Sequence, residues 1–570
     1  MADTRQDGSP TRFVVAEDGM GNSQANTVPF NPRLTTHDGQ QYIAYWTHDG
    51  GLAVAERDLP RGEWTTTRLD VSIDQRDGHY APALGVGPDG HIFLCYNTRD
   101  SPIRWRRSVS PGDVSAFAEE TVGLTGRDET SACYPEFTRL RDGTLLFGYR
   151  EGYSGNGNWH LNRWADGEWD PLQHSLTDGE GERNSYHWNL FQSSDGVLHY
   201  AFCWRNNDLD VEGIANSKLS YARSPDGGET WERSDGTEYT LPITKDAAEP
   251  IDPVSAGHNL INQGWTAFDP RTDEPHVAYV REGDSGSAQL YHAFMDDGTW
   301  RRERVTDRDA PLQSADSFGH SLARPGIVVD RDGTVHMVTR DTEHGGWPLH
   351  LERRDGEWRA SVLYRRNLTY AEIHIDPERW RDDRVLSVVE QAQSTLTQDP
   401  GRGPEWAPRS EIAVTDVHPN GRGGTTAGAH RPVFASASLR NPPAVKTQAA
   451  FETVGTAIPF SERTVPATPV YARFTGEFAV DEDTTGRVRV IIEDVAGSTH
   501  AGRVTRGEQA VIEGDAGLRT TGWVRVPTDL RGGRASVQLA AEGPGEVRIS
   551  NGILELSYRD PRGSLSDYVV

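Results

Sequence analysis

Hydrophobic and polar positions alternate along most of this chain in short runs, and each run follows a polar turn. One unit returns seven times. It reads DGQQYIAYW from Asp38, DGHIFLCY from Asp89, DGTLLFGYR from Asp142 and DGVLHYAFCW from Asp195, then DEPHVAYV from Asp273, DGTVHMVTR from Asp332 and DRVLSVVE from Asp383. Alternation with a period of two marks a strand whose two faces differ, and an Asp-Gly pair suits a tight hairpin. A second strand and a polar turn follow each unit, several ending in Trp, as at Trp64, Trp169, Trp300 and Trp358. Short strands recurring about every 50 residues predict a β-propeller with one four-stranded sheet per repeat. Seven copies predict seven blades.

The fourth repeat is longer than the others. Its extra residues, around Glu232 to His258, predict a loop that overhangs a site. The same repeat carries SPDGGETW from Ser224 to Trp231, which matches the Asp-box turn of sialidase-like propellers. That turn braces a hairpin at a blade's outer edge, so it speaks for the fold and not for sialidase chemistry. A stretch rich in Gly, Pro and Arg runs from Asp399 to Lys446, within which Glu411–Val417 reads as a strand of the last blade. Beyond it, VYARFTGEFAV, RVRVIIEDV, ASVQLAAE and EVRISNGILELSY alternate without the propeller turn. The expected fold class is therefore all-β, with a seven-bladed β-propeller over residues 1–445 and a small C-terminal β-sandwich over 446–570. No long amphipathic helix is expected.

Composition narrows the partners. The formal net charge is −27, and Lys218, Lys245 and Lys446 are the only lysines among 58 basic residues. An acidic surface so poor in Lys suggests adaptation to salt. It disfavours nucleic acid, whose phosphates need a basic face. No apolar run has the length of a membrane span, and MADTRQDGSPTR has no hydrophobic signal core. No membrane partner is expected, a monomer is expected, and the compartment stays open between cytoplasmic and secreted with the signal removed. Cys95, Cys133 and Cys203 fall in or beside predicted strands, and they read as buried free thiols.

The repeat also serves as a ruler. The start of a blade's first strand and the end of its second emerge on one face, so residues at those ends rim one mouth of the channel. Before the turns stand His79, Tyr134, Tyr186, Asn262 and His320; after them stand His48, Arg99, Arg150, Arg205, Arg281 and Arg340. The five arginines share strand parity. Paired with surface acids, each alone would mean little. Together at one solvent-facing mouth they predict an anionic ligand held through its carboxylates, and the His and Tyr among them predict proton transfer.

The residues around these positions carry a family resemblance. DGHYAPALGVGPDGHIFLCYNTRDSPIRWRRS from Asp77, YPEFTRLRDGTLLFGYREGYSGNGN from Tyr134 and RNSYHWNLFQSSDGVLHYAFCWR from Arg183 resemble successive blades of the seven-bladed propeller polysaccharide lyases. These cleave ulvan and related rhamnosyl-glucuronate glycans. The spacing from Tyr134 to Arg150 is the most specific element. The resemblance implies His79 and Tyr134 as the proton-transfer pair, Arg150 as the neutraliser of a uronate carboxylate and Tyr186 as a substrate contact. Arg99, Arg205 and Arg340 join the expected substrate-binding set. Where many relatives have a second His, this chain has Arg99, which neutralises charge but stays protonated. Some relatives hold a structural zinc near the fourth blade, but here NSKLSYA from Asn216 offers neither His nor Cys. No metal or cofactor is expected, with His199, Cys203 and His258 the residual candidates.

The implied reaction is β-elimination, in which a base takes the proton from C5 of a uronic acid and an acid protonates the departing O4. His79 is a plausible base near neutral pH and Tyr134 a plausible acid, but the residues alone leave the assignment open. Two rival readings use the same scaffold: a glycoside hydrolase, sialidase-like or a rhamnosidase, and a non-catalytic binder of acidic glycans.

Overall fold

The repeated Asp turns because its own side chain closes the loop. Asp142 Oδ1 accepts the Thr144 N–H at 2.9 Å, and Asp332 Oδ1 that of Thr334 at 2.9 Å. Asp195 and Asp89 do the same for Val197 and His91. The next residue then takes a positive φ (+93° at Gly143, +94° at Gly196), which only Gly adopts without a Cβ penalty. This local preference forms the hairpin in these four copies.

The computed structural model describes residues 10–393 and 409–419, apart from 22–23, 30–31, 212, 285, 309–311, 313–319, 345, 365–367 and 369–370; beyond 433 it describes backbone strands only. The fold is all-β, a succession of antiparallel sheets of about four strands each. The first sheet runs Leu34–His37, Gln40–Trp46, Gly51–Asp58, Thr65–Ser72. The second begins with Ala83–Val86 and Ile92–Tyr96. The third runs Ala132–Arg139, Leu145–Tyr153, Asn156–Ala165, Glu168–Thr177, and one parallel bridge, Gly157 to Asn184, ties it to the fourth. The fourth contains Asn184–His187, Leu198–Arg205, Asn216–Ser224 and Glu249–Asp252. The fifth and sixth open at Trp265 and Gly326 in the same order.

The last sheet departs from the pattern. Between His374–Ile375 and Leu386–Glu390 the hairpin turn is replaced by a seven-residue helix, Pro377–Asp383, with Asp376 accepting from the Glu378 and Arg379 N–H groups and Pro at its first turn. That is why the Asp383 copy of the unit is degenerate. Arg409–Val417 follows, and its outer edge is taken by the N-terminal strand Thr11–Met20, antiparallel from Thr11–Asp416 to Met20–Arg409.

Apolar faces pack sheet on sheet in chain order. Trp46, Leu52 and Val54 of the first meet Leu84, Ile92 and Leu94 of the second, and Phe93 and Cys95 of the second meet Phe137 and Phe147 of the third. Leu34, Ile43 and Tyr45 of the first sheet also pack on Val389, Ile412 and Val414 of the last. Polar groups reinforce that last contact: Thr36 and Gln41 donate to Asp376 Oδ2 at 2.6 and 2.8 Å, and Arg57 pairs with Asp416 at 2.9 Å.

Three expectations meet the structure here. The Ser224–Trp231 turn is a brace: Ser224 Oγ donates to Asp226 and accepts from the Gly228 N–H, and buried Trp231 donates to Gly228 O at 3.0 Å. All three cysteines are buried and free. The long fourth repeat, in contrast, does not overhang as a free loop. It lies back on its own sheets, with Ile243 N–H donating to Leu176 O, Asp178 N–H to Ile243 O and the Tyr239 hydroxyl to Tyr221 O. Backbone groups that find such partners have no reason to leave them.

Most of the Gly/Pro-rich stretch lies outside the described residues. From its C-terminal part onward, strands from Phe434–Ser438 to Gly532–Ser557 pair antiparallel, several of them on the last one. The expected boundary at Lys446 falls inside the strand Ala444–Ser461. No helix among the described residues is long and apolar enough to cross a membrane.

Candidate functional site

Three neighbouring strand ends create a row of charges. The short strand Arg99–Ser101 pairs with the start of Ala132–Arg139, placing Arg99 opposite Cys133. On the other side Cys133 lies opposite Arg150, at the end of Leu145–Tyr153. The next residue, Tyr134, breaks the ladder. It sits in a bulge between Cys133 and Glu136 with φ +57°, ahead of Pro135. A non-Gly residue in that region costs roughly 1–3 kcal/mol, and a bulge re-aims the side chain it carries. The Tyr134 ring is thereby set against His79 (centroids 5.6 Å apart) and edge-on to Tyr186 (5.6 Å).

His79 arrives on a single 3₁₀ turn, Gly78–Tyr80, just before the second sheet. Asp77 caps that turn, its Oδ1 accepting the His79 backbone N–H at 2.9 Å and the ring Nδ1–H at 2.7 Å. Because a carboxylate accepts there, Nδ1 carries the proton of the neutral ring and Nε2 the lone pair.

Arg150 is 0 % exposed, and His79, Tyr134 and Tyr186 are 5 %, 2 % and 2 % exposed. The expectation that His79 and Arg150 stand at a solvent-facing mouth is corrected: both lie beneath the surface, Arg150 on a strand end paired with Cys133 and His79 within the buried 3₁₀ turn. The Arg150 guanidinium lies 5.0 Å from the centre of the Tyr134 ring and 5.7 Å from that of Tyr186. Its Nη2 donates to Gly152 O at 3.2 Å and stands 3.6 Å from Asp100, while Nε and Nη1 donate to nothing. A buried cation with spare donors is an anion site in waiting. Arg99, partly exposed, pairs with Asp100 at 2.6 Å and reaches Cys133 Sγ at 3.9 Å.

The surroundings tune each proton. Burial pushes His79 below its usual range; Asp77 opposes this, and the Arg99 and Arg150 charges add to it. Burial holds Tyr134 well above 10, so it keeps its proton through neutral pH. For Tyr186 burial acts the same way, but Arg150 and Arg205 outweigh it and bring the hydroxyl below its ordinary value. The Tyr186 hydroxyl meets Ser154 Oγ at 3.1 Å; Ser154 O accepts from Asn207 Nδ2 at 2.6 Å, and Asn207 Oδ1 accepts from Arg205 Nε at 2.9 Å. Behind Tyr134, burial lifts Glu136 to about 8 and drops His187 to about 3, giving a neutral pair with Oε2 and Nε2 3.3 Å apart.

The ruler thus works on one side of the molecule. His79, Arg99, Tyr134, Arg150, Tyr186 and Arg205 come together on the second to fourth sheets. Arg340 does not join them: it is fully buried and spends its nitrogens on Ala371 O, Ser321 O and His320 O at 3.0, 3.0 and 2.8 Å. Those carbonyls precede the first strands of the sixth and last sheets, so Arg340 staples them together. Arg281 likewise pairs with Asp252 at 3.0 Å and stacks over Tyr291. Sequence reasoning missed Asp77, Asp100, Ser154 and Asn207; only Asp77, two residues before His79, carried a readable signal.

The residual zinc donors do not fit a metal. His199 is engaged by Ser193 and by the Tyr221 hydroxyl at 2.9 and 2.7 Å, His258 is exposed, and no group of three or more His, Cys, Asp or Glu among the described residues is arranged to hold an ion.

Comparison with known proteins agrees with this geometry at the level of fold. Residues 40–308 match the model of the BNR repeat-containing family. Among solved structures the chain is similar to the polysaccharide lyase Uly1, at 14 % identity and TM-score 0.52, over 72 % of this chain and 99 % of that one. It is also similar to a PL25 ulvan lyase, free (13 %, TM-score 0.56) and bound to -[GlcA(1-4)Rha3S]- (13 %, TM-score 0.55), each over 70 % of this chain and 95 % of that one. A search of curated proteins finds no match.

Proposed function

We propose that this chain is a polysaccharide lyase that cleaves uronate-containing, ulvan-like rhamnose–glucuronate glycans by β-elimination, on a seven-bladed propeller closed by the N-terminal strand in the last blade. The observation that carries the reading is Arg150: a fully buried guanidinium with two unspent donors, flanked by Tyr134 and Tyr186, with His79 beside Tyr134. A uronate carboxylate entering this site neutralises the cation, and the cation in turn acidifies C5–H by stabilising the enediolate that forms. Removing one donor of this kind costs roughly 10²–10³ in kcat. Arg99 adds a second positive charge at the rim.

The proton steps then follow from the tuned groups. His79 Nε2 takes the C5 proton, the C5–H electron pair becomes the C4=C5 double bond, and the C4–O4 bond breaks with its pair staying on oxygen. Tyr134, which holds its proton at neutral pH, passes it to that oxygen. The imidazolium and the tyrosinate are neighbours, so proton return between them resets the site with no net exchange. Tyr186, Ser154 and Asn207 form the polar wall, with Arg205, for the sugar beside the uronate.

A hydrolase reading fits less well. Most glycosidases place two carboxyl groups across the scissile bond, and sialidases pair a Tyr nucleophile with a Glu. Here Asp77 is tied to His79 and Asp100 to Arg99, while Glu136 is turned away to accept the Leu190 N–H at 2.8 Å. The test is incubation with ulvan oligosaccharides while following the ultraviolet absorbance of a C4=C5 unsaturated uronate. A rise that depends on His79 and Arg150 is expected. New reducing ends without that rise would overturn the reading in favour of hydrolysis, and no cleavage would overturn it in favour of binding.

A further inference from the structure

We infer that Asp77 is a positioning residue for the elimination, holding His79 in the form with its lone pair on Nε2 and stabilising the imidazolium that forms when Nε2 takes the proton. The inference rests on the lyase reading and goes beyond it, because Asp77 touches neither the sugar nor the reacting atoms. One carboxylate oxygen, Oδ1, makes both contacts to His79, to the backbone N–H and to Nδ1–H. The first orients the turn that carries the ring, and the second orients the ring on the turn. Histidine has two interchangeable neutral tautomers, and only a fixed acceptor at one nitrogen selects between them.

Electrostatics make the charge necessary as well as the hydrogen bond. Among the described residues, the groups that act on His79 include Arg99 from the short strand beside it, Arg150 from the third sheet, the neutral Tyr134 ring and Asp77 itself. Two cations and deep burial oppose a third positive charge. Asp77 is the counter-charge in contact with the ring, and it is itself held below its usual range by His79 and Arg99 despite its burial. Without it, the proton leaving C5 would enter a site that repels it.

Asp77→Asn separates the two possible roles of this residue. Asn caps a turn as well as Asp and keeps an oxygen where Oδ1 stands, but it has no charge. Under the positioning role, kcat should fall roughly 10²-fold or more with KM little changed. The acid limb of the kcat/KM profile, and the His79 ring titration followed by NMR without substrate, should both move to lower pH. Wild-type kinetics and an unmoved titration would show that Asp77 only caps the turn, which would overturn the inference. A shifted titration with unchanged kcat would overturn it too, since the charge would then not serve the reaction. If the wild-type protein eliminates no uronate, the lyase reading falls in its own assay and the catalytic role of Asp77 with it, while the substrate-free titration still reports the pairing.

Discussion

Replacing Arg150 with Met should nearly abolish elimination while leaving stability almost unchanged. A buried ion pair broken on one side usually costs about 3–5 kcal/mol. Arg150 is not held that way. Two of its nitrogens are buried with nothing to donate to, and each such donor is a penalty of about 1–3 kcal/mol that Met removes. Against this stand two ring contacts, at 5.0 and 5.7 Å, worth about 1 kcal/mol each. The Gly152 hydrogen bond at 3.2 Å adds about 1 kcal/mol, and the 3.6 Å approach to an Asp100 that is 39 % exposed adds less than about 1 kcal/mol. At mid-range values, about 4 against about 3.5 kcal/mol, the two sides balance to within about 1 kcal/mol, so Tm should stay within roughly 2–4 °C of wild type. Activity should still fall roughly 10²–10³-fold. Arg308 is the control: equally buried but paired with Asp341 at 2.9 Å, it should cost the full 3–5 kcal/mol or so when changed to Met. Calorimetric melting of both variants beside the elimination assay decides the matter. An Arg150→Met protein that melts as early as Arg308→Met, or one that keeps its activity, would refute the reasoning that Arg150 is reserved for an anion.

The remaining predictions concern protons and staples. Because His79 lies below its usual value, kcat/KM should rise with pH along an acid limb below about 6.5 and then stay flat through neutral pH; a limb above that value would remove His79 as the base. Glu136 is raised to about 8, so its share of stability is present below the unfolded carboxylate range and is lost as pH rises through 8. Glu136→Gln, which can still accept the Leu190 N–H, should therefore melt later than wild type at pH 9 and gain little at pH 5; equal gains at both would exclude the proton as the cause. Arg340→Met strips three carbonyls of a charged donor, at about 1.5–3 kcal/mol each, so melting should drop by many degrees while kcat of the folded fraction stays near wild type.

Local rules were legible in the chain, and long-range ones were not. Four of the five Asp-Gly turns are self-contained, since the Asp side chain bonds the N–H two residues on, and the fifth, Asp38-Gly39, turns through positive φ at both residues; all five were readable. The strand Thr11–Met20 was not, because its partner, Arg409–Val417, lies at the far end of the repeats and no local signal pairs them. The ruler found the six residues that meet on the second to fourth sheets, since strand parity and strand ends follow from the repeat. It could not tell Arg150 from Arg340. Both occupy the same place in their sheets, and what separates them is whether neighbouring carbonyls arrive to consume the donors, which depends on loops of other sheets. The left-handed backbone at Tyr134 was equally invisible, because a strand that bulges there reads the same as one that does not.

The mass balance of cleavage tests the central claim most directly. A defined ulvan oligosaccharide is digested to completion of one cut, and the two fragments are weighed by mass spectrometry. Elimination breaks C4–O4 without adding water, so the account predicts fragments whose masses sum to that of the parent, one of them carrying the C4=C5 double bond. Fragments that together exceed the parent by one water would contradict it and identify a hydrolase.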